Sequence, residues 1–204
     1  MRIGIEINGV LRDTIGKFRM CYEKFLMPNE YNLEEVKDFE YKITEPINTL
    51  ELSNHFTFKD NEELIEFMYE DCPMEIFGHA MSSEMMTFNY LNDFYNENKY
   101  DNQIYIISDE VGKSKPATLF FLSKFSCLIE NYIFYNSKNK SDIISKFDLI
   151  VTSDPNIIID YGNDKHIIKF ITNYNKEINH HLEISSLSEL SETIKKIKND
   201  KIIQ

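Results

Sequence analysis

Seven side chains have types and positions suited to chemistry on a charged group: Glu6, Asn8, Ser108, Lys140, Thr152, Ser153 and Asp154. A carboxylate such as Glu6 can act as a nucleophile or hold a hard cation. Asn8, two residues on, offers hydrogen bonds but no proton to exchange, so it cannot serve as a general acid or base. Ser108 supplies a hydroxyl donor and Lys140 a positive charge, with Lys138 a rival for the same position. Thr152-Ser153-Asp154 adds two hydroxyls and one carboxylate.

These groups matter together only if the chain brings them together. Arg2–Ile7 reads as a short buried strand feeding a turn at Asn8-Gly9. Further strands are expected at Gln103–Ile107, Tyr132–Tyr135, Asp148–Thr152 and Ile167–Ile171. Helices are expected at Ser82–Glu97, with Met85, Met86, Phe88, Leu91 and Phe94 in the core, at Lys115–Phe125 opened by Pro116, at Ser141–Lys146, and at Ser186–Lys198 with Leu187, Leu190, Ile194 and Ile197 inward. Between Thr14 and about His79 apolar residues recur at helical spacing. One set is Phe18, Cys21, Tyr22 and Phe25; another follows the acidic cluster Asp60–Glu63, and Phe39–Leu52 between them is irregular around Pro46. Strands alternating with helices predict a parallel sheet, and in such sheets a site forms at the carboxyl ends of the strands near a switch in strand order. All seven side chains fall at or just after such ends.

The opening stretch Glu6-Ile7-Asn8-Gly9-Val10-Leu11-Arg12-Asp13-Thr14 resembles the first motif of the haloacid dehalogenase-like phosphohydrolases. Two later stretches resemble the 5'(3')-deoxyribonucleotidase branch: Asp148-Leu149-Ile150-Val151-Thr152-Ser153-Asp154-Pro155, and Phe170-Ile171-Thr172-Asn173-Tyr174-Asn175 before a closing helix. The resemblance spans nearly the whole chain and rests on the order and spacing of the motifs together. It implies a Rossmann-like parallel sheet sandwiched by helices, formed by residues 1–14 and 80–204, with residues 15–79 inserted as a small helical cap.

The departures from that pattern bear on function. Glu6 stands where the family has its nucleophilic aspartate, and the extra methylene moves the carboxylate by about 1 Å, a misplacement that can cost about a hundredfold. Asn8 stands where the family has its general acid/base, a role worth about 10²–10⁴-fold. With Pro155 setting the register, Thr152 and Ser153 replace the two acids that hold Mg²⁺; a register shifted by one would let Asp154 serve. Ser108 and Lys140 match the family's phosphate-binding pair. The resemblance thus implies a catalytically inactive, 5'-nucleotidase-like domain with vestigial positions at Glu6, Asn8, Thr152, Ser153 and Asp154, and no cofactor. The alternative is a weak phosphohydrolase or nucleotide-monophosphate binder that uses Mg²⁺, with Glu6 and Asp154 on the metal and Ser108 and Lys140 on phosphate.

Composition narrows the partners. The 204 residues carry 34 acidic and 22 basic side chains, a net charge of -12, which opposes binding to nucleic acid or anionic membranes. Cys21, Cys72 and Cys127 are odd in number and widely spaced, as expected of free thiols in a reducing compartment. With no long apolar run and no charged-then-apolar leader, the expectation is a soluble chain in the cytoplasm of a bacterium or host cell. Alanine occurs only at Ala80 and Ala117 while Asn, Ile, Lys, Tyr and Phe abound. That bias suits an AT-rich genome, a low-GC bacterium or its virus, so a virion component assembling with a protein partner or with itself is a further expectation. His180-His181 reads as a surface pair, His55 and His79 have no motif around them, and Asp109-Glu110 would repel phosphate from the pocket mouth.

Overall fold

The computed structural model describes residues 1–27, 39–162 and 166–202. Part of the stretch read as helical between Thr14 and His79 therefore lies outside the described residues. Six strands, β1 (Arg2–Glu6), β2 (Gln103–Ser108), β3 (Tyr132–Phe134), β4 (Leu149–Thr152), β5 (His166–Phe170) and β6 (Glu183–Ile184), form one sheet in the order β3-β2-β1-β4-β5-β6. Every pairing is parallel. The order reverses beside β1, so the crevice expected of an open α/β sheet falls between the carboxyl ends of β1 and β4.

The helices are α1 (Thr14–Phe25), α2 (Asn61–Glu66), α3 (Thr87–Asn98), α4 (Ser114–Lys124), α5 (Lys140–Ile144), α6 (Pro155–Tyr161) and α7 (Leu190–Ile202). Helices cover both faces of the sheet because strand neighbours point to opposite sides. Ile106, Leu149, Val151 and Ile168 join a core with α3, α4 and α7 residues such as Leu91, Phe121 and Leu190. Ile107, Ile150 and Ile167 turn the other way, onto Ile144 of α5 and Ile157 of α6. A third core lies within the helical segment after β1. There Phe18 and Tyr22 of α1 meet Phe56, Phe67, Ile76 and Phe77, with Phe18 edge-on to Phe56 at 4.9 Å.

Capping explains several boundaries. The Asp13 carboxylate accepts from Gly16 N at 3.0 Å and starts α1, and Asp60 accepts from Glu63 N at 2.8 Å and starts α2. The acidic cluster Asp60–Glu63 thus opens a helix as expected. One expectation is corrected: Met85 and Met86 lie outside the core, with Met85 94% exposed. The helix begins only at Thr87, whose Oγ1 donates to Glu84 O at 2.8 Å and accepts from Glu84 N at 2.9 Å, so residues 82–86 form a polar turn that turns both methionines outward. Two elements, α6 and β6, have no counterpart among those expected from the sequence. Pro155 opens α6 behind the Asp154 cap, a helix start hidden inside what read as a motif. Among the described residues no helix is long and apolar enough to cross a membrane.

Candidate functional site

β1 delivers Glu6 to the switch point, and its side chain is buried there. The Tyr135 hydroxyl, just past β3, donates to Glu6 Oε1 at 2.5 Å, and the Thr152 hydroxyl at the end of β4 donates to Oε2. Both carboxyl oxygens are thus engaged within the protein. Burial, then the charges of Asp154 and Asp109, push the Glu6 carboxyl up to about 8 against the opposing hydroxyl bonds. At neutral pH it is therefore mostly the neutral acid. In that form one of the two bonds reverses, because a carboxylic acid donates and a hydroxyl can accept. Tyr135 is itself driven upward, by burial and by Glu6.

Asn8 sits on the turn after β1, and its amide is held on both sides. Its Oδ1 accepts from Arg12 Nη2 at 2.6 Å and Thr14 Oγ1 at 2.7 Å, while Nδ2 donates to Asp109 Oδ1 at 2.9 Å. Arg12, fully buried, is the hub of this turn. It also donates to Phe77 O at 3.0 Å and Thr118 Oγ1 at 2.6 Å, pairs with Glu110, and lies over the Phe77 ring at 4.9 Å. One guanidinium thus joins the loop after β1, the helical segment and α4. Burial lowers its pKa, opposed by Glu110. Nothing in a single sequence marked Arg12 for this role; the partners are as many as 106 positions away.

Ser108 ends β2 with its Oγ donating to Glu110 Oε1 at 3.2 Å. Lys140 donates to Asp154 Oδ2 at 2.7 Å. Burial pulls the Lys140 ammonium down, yet the Asp154 bond and charge outweigh it and hold the group above its ordinary value. The other Asp154 oxygen accepts from Asn156 N at 2.8 Å, capping α6. Ser153 donates to Asn8 O at 2.9 Å and lies 2.8 Å from the Tyr174 hydroxyl. This crowding fixes Gly9, at a φ of 75°, where an added Cβ would overlap the Tyr174 hydroxyl and Ser153 Oγ. Asn175 clamps the same corner by donating to Ser153 O and Phe170 O, each at 2.9 Å.

A cleft of about 1290 Å³ opens between these strand ends and the helical segment. Glu6, Asn8, Ser153 and Asp154 line it; Thr152, Ser108 and Lys140 are not among its lining residues. Glu6, Asn8, Thr152, Ser153 and Asp154 are thus joined around the β1–β4 end, with Lys140 held to it through Asp154; Ser108 lies at its border, donating to Glu110 and 3.5 Å from Asn8 Nδ2. Among the described residues no group of three or more His, Cys, Asp or Glu side chains is arranged to hold a metal ion. Outside the site, His55 is buried between Thr49 Oγ1 and Thr44 O, and His180 packs beside His181 with Nε2 2.7 Å from Ile167 O. No protein-family model matches the chain, and no curated protein matches it.

Proposed function

We propose that this chain is a haloacid dehalogenase-like domain, similar in motif order to the 5'(3')-deoxyribonucleotidases, that no longer hydrolyses phosphate esters and works as a binding or assembly protein. Residues 1–14 and 80–204 form its core in this reading, and residues 15–79 its helical cap. The observation that carries the proposal is the state of Glu6. Its carboxyl is buried, both oxygens are bonded to Tyr135 and Thr152, and its pKa of about 8 leaves it mostly neutral at pH 7. A neutral, doubly bonded acid is a poor nucleophile and a poor cation ligand.

The neighbouring groups support the same reading. Asn8 has no proton to deliver, and its amide is bound to Arg12, Thr14 and Asp109. The alternative, a weak Mg²⁺-dependent phosphohydrolase or nucleotide-monophosphate binder, needs Ser108 and Lys140 for phosphate. Ser108 instead donates to Glu110, and Lys140 is paired with Asp154. The partner expected here is another protein or a second copy of the chain, with a virion as one setting.

The test is Mg²⁺-dependent release of phosphate from a panel of nucleoside monophosphates. The chain is run beside a variant carrying Glu6→Asp, Asn8→Asp, Thr152→Asp and Ser153→Asp. Silence from the unmodified chain is expected, and turnover by it would overturn the proposal. Activity in the fourfold variant alone would tie the loss to these positions.

A further inference from the structure

Resting on that reading of an assembly protein, we propose that a second copy of this chain docks on the free edge of β3. The two strands pair antiparallel about a two-fold axis at Ile133, and the two six-stranded sheets join into one. Three observations converge on this partner.

The first is the pattern of backbone groups. Among the described residues β3 pairs with β2 alone, in the register Ile106–Tyr132, Ile107–Ile133 and Ser108–Phe134. Ile106 N donates to Asn131 O and Tyr135 N donates to Ser108 O, both at 2.9 Å. Residues 131, 133 and 135 thus serve the ladder, and the pleat turns the N–H and C=O of Tyr132 and Phe134 away from it. Among the described residues none of these four groups has a backbone partner. An antiparallel copy centred on Ile133 sets each Tyr132 against Phe134 of the other copy, and each such pair exchanges two hydrogen bonds. All the outward groups of both strands are then used. The arrangement is isologous, so it closes at two copies.

The second observation is an edge without protection. Proteins keep sheet edges apart with charges, prolines, bulges or very short strands. The opposite edge follows this rule, since β6 has two residues and one of them is Glu183. β3 instead reads Tyr132-Ile133-Phe134, three strong strand formers with no charge and no proline. Leu128 and Tyr132 are exposed beside this edge. So is Leu119, one turn along α4 from Lys115, whose ammonium lies 5.9 Å from the Phe134 ring. A second copy would cover this apolar strip.

The third is charge complementarity. Glu130 lies just before β3 and Lys138 just after it, and both are exposed. Neither is in an ion pair among the described residues. The axis at Ile133 puts Glu130 opposite Asn136 of the second copy, which opens the turn that carries Lys138. One acid–base contact therefore forms at each end of the seam. Two chains of net charge -12 repel one another over most of their surfaces, and this edge is a place where they attract. An unrelated strand would need its own acid and base at the same spacing; a second copy supplies them by symmetry.

The experiment is sedimentation velocity on the full chain from about 1 to about 200 μM, where a reversible dimer is expected. Tyr132→Lys puts a charge on the seam and spares every bond to β2. It should raise the dissociation constant about tenfold or more, with an unchanged thermal melt as the check on folding. Glu130→Lys and Lys138→Glu should each weaken the dimer about fivefold, and together restore it, because the exchanged charges meet again across the axis. A monomer at every concentration overturns the inference. So does a folded Tyr132→Lys variant that dimerises as well as the parent chain, or a charge swap no tighter than the single variants. Phosphate release is measured separately. Turnover by the chain overturns the non-hydrolytic reading and leaves the edge contact standing, whereas a silent monomer overturns the edge contact alone.

Discussion

Glu6→Gln should make this protein more stable above pH 5, and the size of the gain follows from the site. In the unfolded chain the carboxyl ionises near its ordinary value of 4.5, whereas in the fold it does so at about 8. Between these values the folded state holds a proton that the unfolded state has released. The contribution of Glu6 is therefore fully present below pH 4.5, falls as pH rises, and is gone above pH 8. Each pH unit in that window is worth about 1.4 kcal/mol. At pH 7 the native protein has thus lost about 3 kcal/mol, and well above pH 8 about 5 kcal/mol. Glutamine has nearly the same shape. It can accept from Tyr135 through its oxygen and donate to Thr152 through its amide, so it keeps the bonding without the titration. Urea unfolding of both proteins from pH 4.5 to 9 measures the difference. The two should be close at pH 4.5 and diverge as pH rises, with the variant ahead at pH 7 by an amount equivalent to about 6–12 °C in melting temperature. Parallel stability curves across the window would refute the argument, because Glu6 would then ionise alike in both states.

Other substitutions probe the same architecture. Arg12→Met strands the Glu110 carboxylate in the interior and should cost about 3–5 kcal/mol by urea unfolding; Arg12→Met with Glu110→Met should recover most of that, because no buried charge remains. Phe18→Ala removes a fully buried ring from the aromatic core of the helical segment and should cost about 3–5 kcal/mol in the same assay. Gly9→Ala places a Cβ at a φ of 75° against Tyr174 and Ser153, so a fall in melting temperature equivalent to more than about 1 kcal/mol is expected.

Much of this fold is legible one stretch at a time. Apolar runs such as Ile104–Ile107 and Leu149–Val151 declare buried strands, and the alternation with helices declares a parallel sheet, because a parallel strand can be reached only by a crossover. The candidate site is partly legible for a related reason. In a parallel sheet every strand delivers its following loop to the same edge, so Glu6, Asn8 and Thr152–Asp154 can be placed near one another from strand order. Periodicity misleads where short-range polar bonds compete with it, as at residues 82–86. There the Thr87–Glu84 exchange halts a pattern that reads as helix and leaves Met85 in solvent. An element of two residues, such as Glu183–Ile184, is too short to declare itself.

The sequence by itself determined the sheet class, most of the element types and the residue identities at the strand ends, since these follow from local periodicity and from chain order. Only the tertiary structure decided what those residues are bonded to. That Glu6 is a neutral acid between Tyr135 and Thr152, that Lys140 answers to Asp154, and that Arg12 fills the interior behind Asn8 all depend on contacts between groups 14 to 146 positions apart for the first three pairs and up to 106 for Arg12. Burial and charge act through distance in space, and no local pattern in the chain encodes that distance.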